Sequence, residues 1–267
     1  MITDEETIRF LSEGYLLLRD RVRDGIVEKI LDEADPWLRQ ITWNDTYGYS
    51  LDGSEILLAN LGICSKAAVE FFLCESLLDS CERMFGADEV ILSSFALQST
   101  VSRFPGLPFH SDRAGGILVF LFLSDMNSTN GYLSVVPGTQ HCEQYFFVPT
   151  DVIEERKEET VHIFANAGDI LIMHQDVWHE RHIGVAGRVV VKALYHPATM
   201  HSLSVDHRYR QSCISGLNMR QLRAFGITRT EYSRFGYLDR VGRPFSRSDT
   251  LAVLRHLASR RFLRLFR

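Results

Sequence analysis

The sequence predicts an all-β core of jelly-roll type with flanking helices, and three observations carry that prediction. From about residue 89, short runs rich in Val, Ile, Leu and Phe alternate with Gly, Pro, Asn and Asp. No helical pattern of ordinary length interrupts those runs except at 150–158, which disfavours a parallel doubly wound sheet and favours antiparallel layers. The first 88 residues instead carry apolar spacing of helical period. At 267 residues, 45% hydrophobic and 24% charged, the chain is long enough for one substantial core.

Taken in order, residues 7–12 read as a helix and 14–19 as a short strand. A longer helix is expected over 22–39, where Ile26, Val27, Ile30, Leu31, Ala34 and Leu38 share a face. Another is expected from about 66 to 85, ending at Gly86, a residue suited to a left-handed helix terminus. Within it Cys74 and Cys81 fall on one side, as core. The polar and aromatic stretch holding Trp43, Asn44, Asp45, Tyr47 and Tyr49 reads as a loop of the kind that selects substrate at a barrel mouth. Strands are then expected at 89–103, 116–123, 131–136, 161–164, 169–174 and 187–195. No internal repeat or low-complexity linker is present, so residues 1–198 read as one domain. It has a helical N-terminal part (1–88) and a jelly-roll core (89–198). Residues 199–267 read as an Arg-rich, helical extension of the same domain.

Composition narrows the setting. The five cysteines are scattered without a C-x-x-C pair, which indicates neither a disulfide framework nor a thiolate zinc site. The acidic start MITDEETIRF lacks a signal-peptide layout, and the apolar run 117–123 is too short for a bilayer, so a cytoplasmic location is expected. Neither a membrane nor a nucleic acid is expected as a partner. Net charge is −5, yet residues 201–267 hold 14 of the 29 basic residues, all arginine, and 4 of the 34 acidic ones. Residues 251–267 combine leucines with arginines at helical spacing. They would pack on the domain or a second subunit, the favoured reading, or meet an acidic carrier protein, a coenzyme A phosphate or an anionic membrane.

The chemistry lies in His110-Ser111-Asp112, followed 69 residues later by His179, itself nine residues before Arg188. Residues i and i+2 of an extended segment face one side, so His110 and Asp112 can reach one metal while Ser111 points away. A third ligand must come from a distant strand. His174, His179 and His182 compete for that place, and His179 is preferred. Two imidazoles and one carboxylate on one face suit iron(II) with open positions, unlike a closed zinc site. The segment His179-Glu180-Arg181-His182 is one residue short of the zinc-protease motif and follows a β pattern. Arg188 opens the apolar run Val189-Val190-Val191, a costly place for a charge unless a carboxylate meets it. Arg181 is its rival.

Residues from about 7 to 197 resemble the phytanoyl-CoA dioxygenase family of iron(II) and 2-oxoglutarate dependent oxygenases. The resemblance rests on His110-Ser111-Asp112, on Asn130-Gly131-Tyr132-Leu133 running to Val136-Pro137-Gly138-Thr139, and on Ala167-Gly168-Asp169 leading to the distal histidine. It implies a double-stranded β-helix of cupin-like form, with iron(II) held by His110, Asp112 and His179. It also implies 2-oxoglutarate anchored by Arg188 and dioxygen as co-reactant. An arginine nine residues past the histidine is slightly closer than the family's usual spacing. Gln98 and Thr100, on one face of the strand before the ligands, are candidate hydrogen-bond partners of 2-oxoglutarate, and Phe120 is a candidate aromatic beside it. The implied activity is hydroxylation or desaturation of an unactivated carbon in a small-molecule, acyl or natural-product substrate. Related halogenases lack the carboxylate that Asp112 supplies, so halogenation is disfavoured. The rivals are a cupin-type isomerase or a dioxygenase that needs no 2-oxoglutarate, and a binding module acting through its basic tail.

Overall fold

The computed structural model describes residues 2–23, 25–39, 48–51, 53–59, 61–199 and 209–227. Helix α1 (Asp4–Glu13) begins at a capping box, in which the Thr3 and Glu6 side chains each accept from the other's backbone N–H. It ends at Gly14, whose φ of +79° is left-handed. A Cβ on Gly14 would sit 2.2 Å from the Val177 side chain, so glycine is required there for space as well as for conformation. Strand β1 (Tyr15–Leu18) and helix α2 (Ile26–Leu38) follow, close to the expected bounds. The stretch read as mainly helical also supplies a hairpin, β2 (Gly48–Leu51) and β3 (Glu55–Ala59). Of the aromatic loop, Trp43, Asn44, Asp45 and Tyr47 lie outside the described residues, and the backbone of Tyr49 is in β2.

The helix expected over 66–85 is two helices, α3 (Lys66–Phe72) and α4 (Glu75–Phe85). Cys74 between them is extended, with ψ of 144°. Neither glycine nor proline marks the break. Its cause is tertiary: the Phe72 carbonyl accepts from the Tyr195 hydroxyl and the Leu73 carbonyl from Gln221 Nε2, so the interruption leaves these two buried acceptors satisfied. Cys81 is buried in the core as expected, whereas Cys74 at the break is half-buried.

Eight strands then follow: β4 (Val90–Thr100), β5 (Leu107–His110), β6 (Ile117–Phe122), β7 (Leu133–Val136), β8 (Val161–Ile163), β9 (Ile170–His174), β10 (Trp178–Arg181) and β11 (Val189–Pro197). Helix α5 (Thr150–Glu155) separates β7 from β8, and α6 (Gln211–Ile214) and α7 (Met219–Ala224) follow β11. The sequence reading has no strand at β5 or β10, which are only four residues each. In the described residues the large sheet has the order β1-β9-β6-β11-β4-β3-β2 and the small one β5-β10-β7-β8, with every pairing antiparallel. From β4 onward the chain crosses between two layers, which is a double-stranded β-helix.

Alternation along the strands defines two cores. Val191, Ala193 and Tyr195 of β11, with Val119 and Leu121 of β6 and Leu97 of β4, face the helices. Val190, Phe120 and Phe122 take the opposite parity and meet Leu133, Val135 and Ile163 of the small sheet. Gln98, Thr100 and Lys192 share that inward parity. The barrel interior is therefore apolar at one level and polar at another. Most of the extension 199–267, including the basic stretch 251–267, lies outside the described residues. Among the described residues no helix is long and apolar enough to cross a membrane.

Candidate active site

The site is assembled where β5 and β10 run side by side in the small sheet. His179 is the register partner of His110, and their ring centroids are 4.2 Å apart. Asp112, just past β5, places Oδ1 3.9 Å from His110 Nε2. Ligand atoms of His110, Asp112 and His179 all lie within 4.8 Å of one another. Ser111 turns away as the period-two reading requires, donating its Oγ hydrogen to the Tyr145 carbonyl.

Each imidazole is oriented by its own strand. His110 Nδ1–H donates to the Pro108 carbonyl and His179 Nδ1–H to the Val177 carbonyl, both at 2.8 Å. A carbonyl only accepts, so Nδ1 carries the proton in both rings and Nε2 is left with its lone pair. Burial lowers the pKa of both histidines, and the neighbouring His110 adds to the effect at His179. Two neutral imidazoles and a carboxylate at this spacing are a fitting donor set for a divalent iron.

The other two histidines considered for the third ligand are engaged elsewhere. His182 stacks on Tyr132, with centroids 3.8 Å apart, and lies 2.6 Å from Ser134 Oγ and 2.9 Å from Glu180 Oε1. Glu180 and His182 have the opposite parity to His179 and Arg181, so the pseudo-motif is split between two faces of a strand. His174 ends β9 and accepts from the Asp176 N–H through Nδ1.

Behind the triad is a buried charge cluster whose key acid the sequence reading missed. Glu55 on β3 pairs with Arg181, and Arg181 also donates to Thr100 Oγ1 at 2.8 Å and stacks 3.7 Å over the Phe104 ring. Gln98 Nε2 donates to Glu55 Oε2 at 2.7 Å and Thr100 Oγ1 to Glu55 Oε1 at 3.3 Å. Gln98 and Thr100 face inward; the Thr100 hydroxyl gives its one hydrogen to Glu55, whereas Gln98 gives Glu55 one N–H and its buried Oε1 has no partner among the described residues. Phe120 is inward and 5% exposed, packed in the apolar cluster between the sheets.

Arg188 differs from Arg181. It is 2% exposed, and its Nε and Nη1 have no partner among the described residues. Burial, reinforced by the Arg181 charge and opposed by Glu55, lowers its pKa to about 9. A guanidinium left unsatisfied at such depth is costly unless an anion meets it there. Of the two rivals, Arg188 is thus the one with capacity for a carboxylate.

Among the described residues, Glu55 is the acid whose charge acts on Arg188. Burial raises its pKa, but the Arg181 charge and hydrogen bond outweigh that and leave it lowered. Its stabilisation is therefore present above the unfolded carboxyl pKa and is lost as pH falls through the lowered folded value. Glu55→Ala is expected to destabilise the fold by about 3–5 kcal/mol, because it strands the buried Arg181. Urea unfolding at neutral pH measures this, and an unchanged midpoint would refute the role.

A family model described as Phytanoyl-CoA dioxygenase (PhyH) matches residues 10–181, a span that holds His110, Asp112 and His179 and stops short of Arg188. No curated sequence matches the chain. Among solved structures, EctD from S. alaskensis, crystallised with 2-oxoglutarate and 5-hydroxyectoine, is similar with a TM-score of 0.65 at 16% identity, covering 78% of this chain and 82% of that one. SnoN, a non-heme alpha ketoglutarate dependent epimerase from nogalamycin biosynthesis, is similar with a TM-score of 0.56 at 19% identity, covering 72% and 80%. The carbocyclase SnoK from the same biosynthesis has a TM-score of 0.58 at 14% identity, covering 78% and 94%. At such identities the likeness is one of fold.

Proposed function

Since the chain belongs to the phytanoyl-CoA dioxygenase family and is an oxidoreductase dependent on iron and 2-oxoglutarate, we propose that it hydroxylates, or desaturates, an unactivated carbon of a small organic substrate. In this reading His110, Asp112 and His179 hold iron(II), and Arg188 holds the distal carboxylate of 2-oxoglutarate. The observation that carries it is the pairing of a three-ligand cluster with a buried arginine whose donors Nε and Nη1 are unsatisfied.

Iron bound there supplies activation of dioxygen, coupled to decarboxylation of 2-oxoglutarate to succinate and carbon dioxide. The protein's own part is orientation and shielding. The Pro108 and Val177 carbonyls keep Nε2 of each histidine unprotonated and aimed at the site. Asp112, with a side chain 35% exposed, is the ligand nearest solvent and faces the open side. Phe120 and Val190 belong to the apolar part of the barrel interior. The backbone of Arg188 is held by the Thr100 N–H, which bonds its carbonyl at 2.8 Å, and the residue is 2% exposed.

Adding 2-oxoglutarate to the anaerobic iron(II) protein is expected to produce a visible charge-transfer band. Succinate should then form on admitting oxygen with a substrate. A featureless spectrum from protein with its full complement of iron would reject this reading in favour of a cupin-type enzyme that needs no 2-oxoglutarate.

A further inference from the structure

One inward cation is used neither by the triad nor by the charge cluster. Lys192 lies in the middle of β11, four residues beyond Arg188, and shares its inward parity with Val190. Its register partners are Phe120 on β6 and Ala96 on β4, and its amine is 6.0 Å from the centre of the Phe120 ring. No hydrogen bond or ion pair to Nζ is formed among the described residues. The two acids that act on it are both engaged: Glu55 is paired with Arg181, and Asp112 faces the histidines. Burial, with the Arg188 and Arg181 charges, lowers its pKa to about 8. Yet the residue keeps some accessible surface. On β4 its neighbour inside the barrel is the small side chain of Ala96.

Position separates this cation from the cosubstrate anchor. Four residues of strand put the two Cα atoms about 13 Å apart. The Lys192 charge acts on both His110 and His179, and it also feels Arg188, Arg181 and Glu55. Lys192 therefore stands between the charge cluster and the metal ligands. Charge balance points the same way. Glu55 and Arg181 cancel; iron(II), Asp112, Arg188 and a doubly negative 2-oxoglutarate together are neutral; the lysine charge is left over. An unpaired ammonium partly withdrawn from water is matched by a single negative charge, and the partner that supplies it is a monoanion.

We infer that Lys192 is the residue that binds the substrate, and that the substrate carries a single carboxylate which pairs with its amine beside the iron. The enzyme then acts on a free acid rather than on the thioester or amide of that acid. This inference rests on the proposed function, since it assumes that Arg188 is occupied by 2-oxoglutarate.

The test uses anaerobic iron(II) protein saturated with 2-oxoglutarate, titrated with hexanoate and benzoate and with their neutral counterparts hexanamide and benzamide. Perturbation of the charge-transfer band and calorimetry are the readouts. The acids are expected to bind about 10- to 100-fold more tightly than the amides, the range for a hydrogen bond to a charged group. Lys192→Met should erase that preference without moving the 2-oxoglutarate titration, and Lys192→Arg should retain it. Removal of an unpaired, half-buried charge should leave Lys192→Met folded and as heat-stable as the parent when ligand-free. The inference is overturned if acids and amides bind alike or not at all, or if Lys192→Met keeps the preference. It is also overturned if Lys192→Met weakens 2-oxoglutarate binding about tenfold, which would assign the lysine to the cosubstrate. Failure of the charge-transfer band to form at all, before any acid is added, would instead overturn the proposed function itself.

Discussion

His179→Ala is expected to abolish coupled turnover and to weaken iron(II) binding by more than the roughly 100-fold that loss of a mere outer partner of a ligand costs. The ring is buried against His110 and has its Nδ1 proton already committed to the Val177 carbonyl, so no neighbour can supply a substitute nitrogen. His182→Ala and His174→Ala serve as controls. His182 is held by Tyr132, Ser134 and Glu180 on the other face of β10, and His174 caps the end of β9. Both should keep iron binding within a few-fold of the parent. Full succinate formation by the His179 variant, or loss of iron from the His182 variant instead, would refute the assignment of the third ligand.

Arg188→Met is expected to raise the KM for 2-oxoglutarate by about 30- to 1000-fold, corresponding to roughly 2–4 kcal/mol for removal of one partner from a buried charge pair. The same change should leave the ligand-free protein as stable as the parent or more so. The reason is that Nε and Nη1 are unpaired at 2% exposure, so an apolar side chain of similar length removes a desolvated charge without breaking a contact. The two measurements, a titration of the charge-transfer band and a thermal melt, must move in opposite senses. A lower melting temperature with an unchanged KM would show that Arg188 is a structural ion rather than an anchor. Arg181 should show the reverse pattern, because its charge is already matched by Glu55.

The contrast between these two arginines shows how far the sequence could be read. An arginine opening Val189-Val190-Val191 announces a buried cation by simple hydrophobic reasoning, and Lys192 in the same run carries the identical signal. Glu55 was harder to find. It precedes Ile56-Leu57-Leu58 as an acid opening an apolar run, but its partner Arg181 is 126 residues away. Without that partner in view, the Thr100 hydroxyl reads as free to bind the cosubstrate, whereas its one hydrogen goes to Glu55, which also accepts from Gln98.

Local periodicity was enough for the jelly-roll class, for the shared face of His110 and Asp112, and for the shared face of Gln98 and Thr100. Each of these depends on the two-residue repeat of an extended chain and needs no partner strand. The third ligand needed more. In a four-residue strand such as β10 the pattern is too short to fix which parity faces inward, and pairing with β5 places His179 rather than His182 opposite His110. The break between α3 and α4 is of the same kind. Nothing in 66–85 stops a helix, yet the chain stops one where Tyr195 and Gln221 arrive to take the Phe72 and Leu73 carbonyls. Which buried polar group is satisfied, and therefore which remains free to bind, is a property of segments brought together from distant parts of the chain, and only the folded structure decides it.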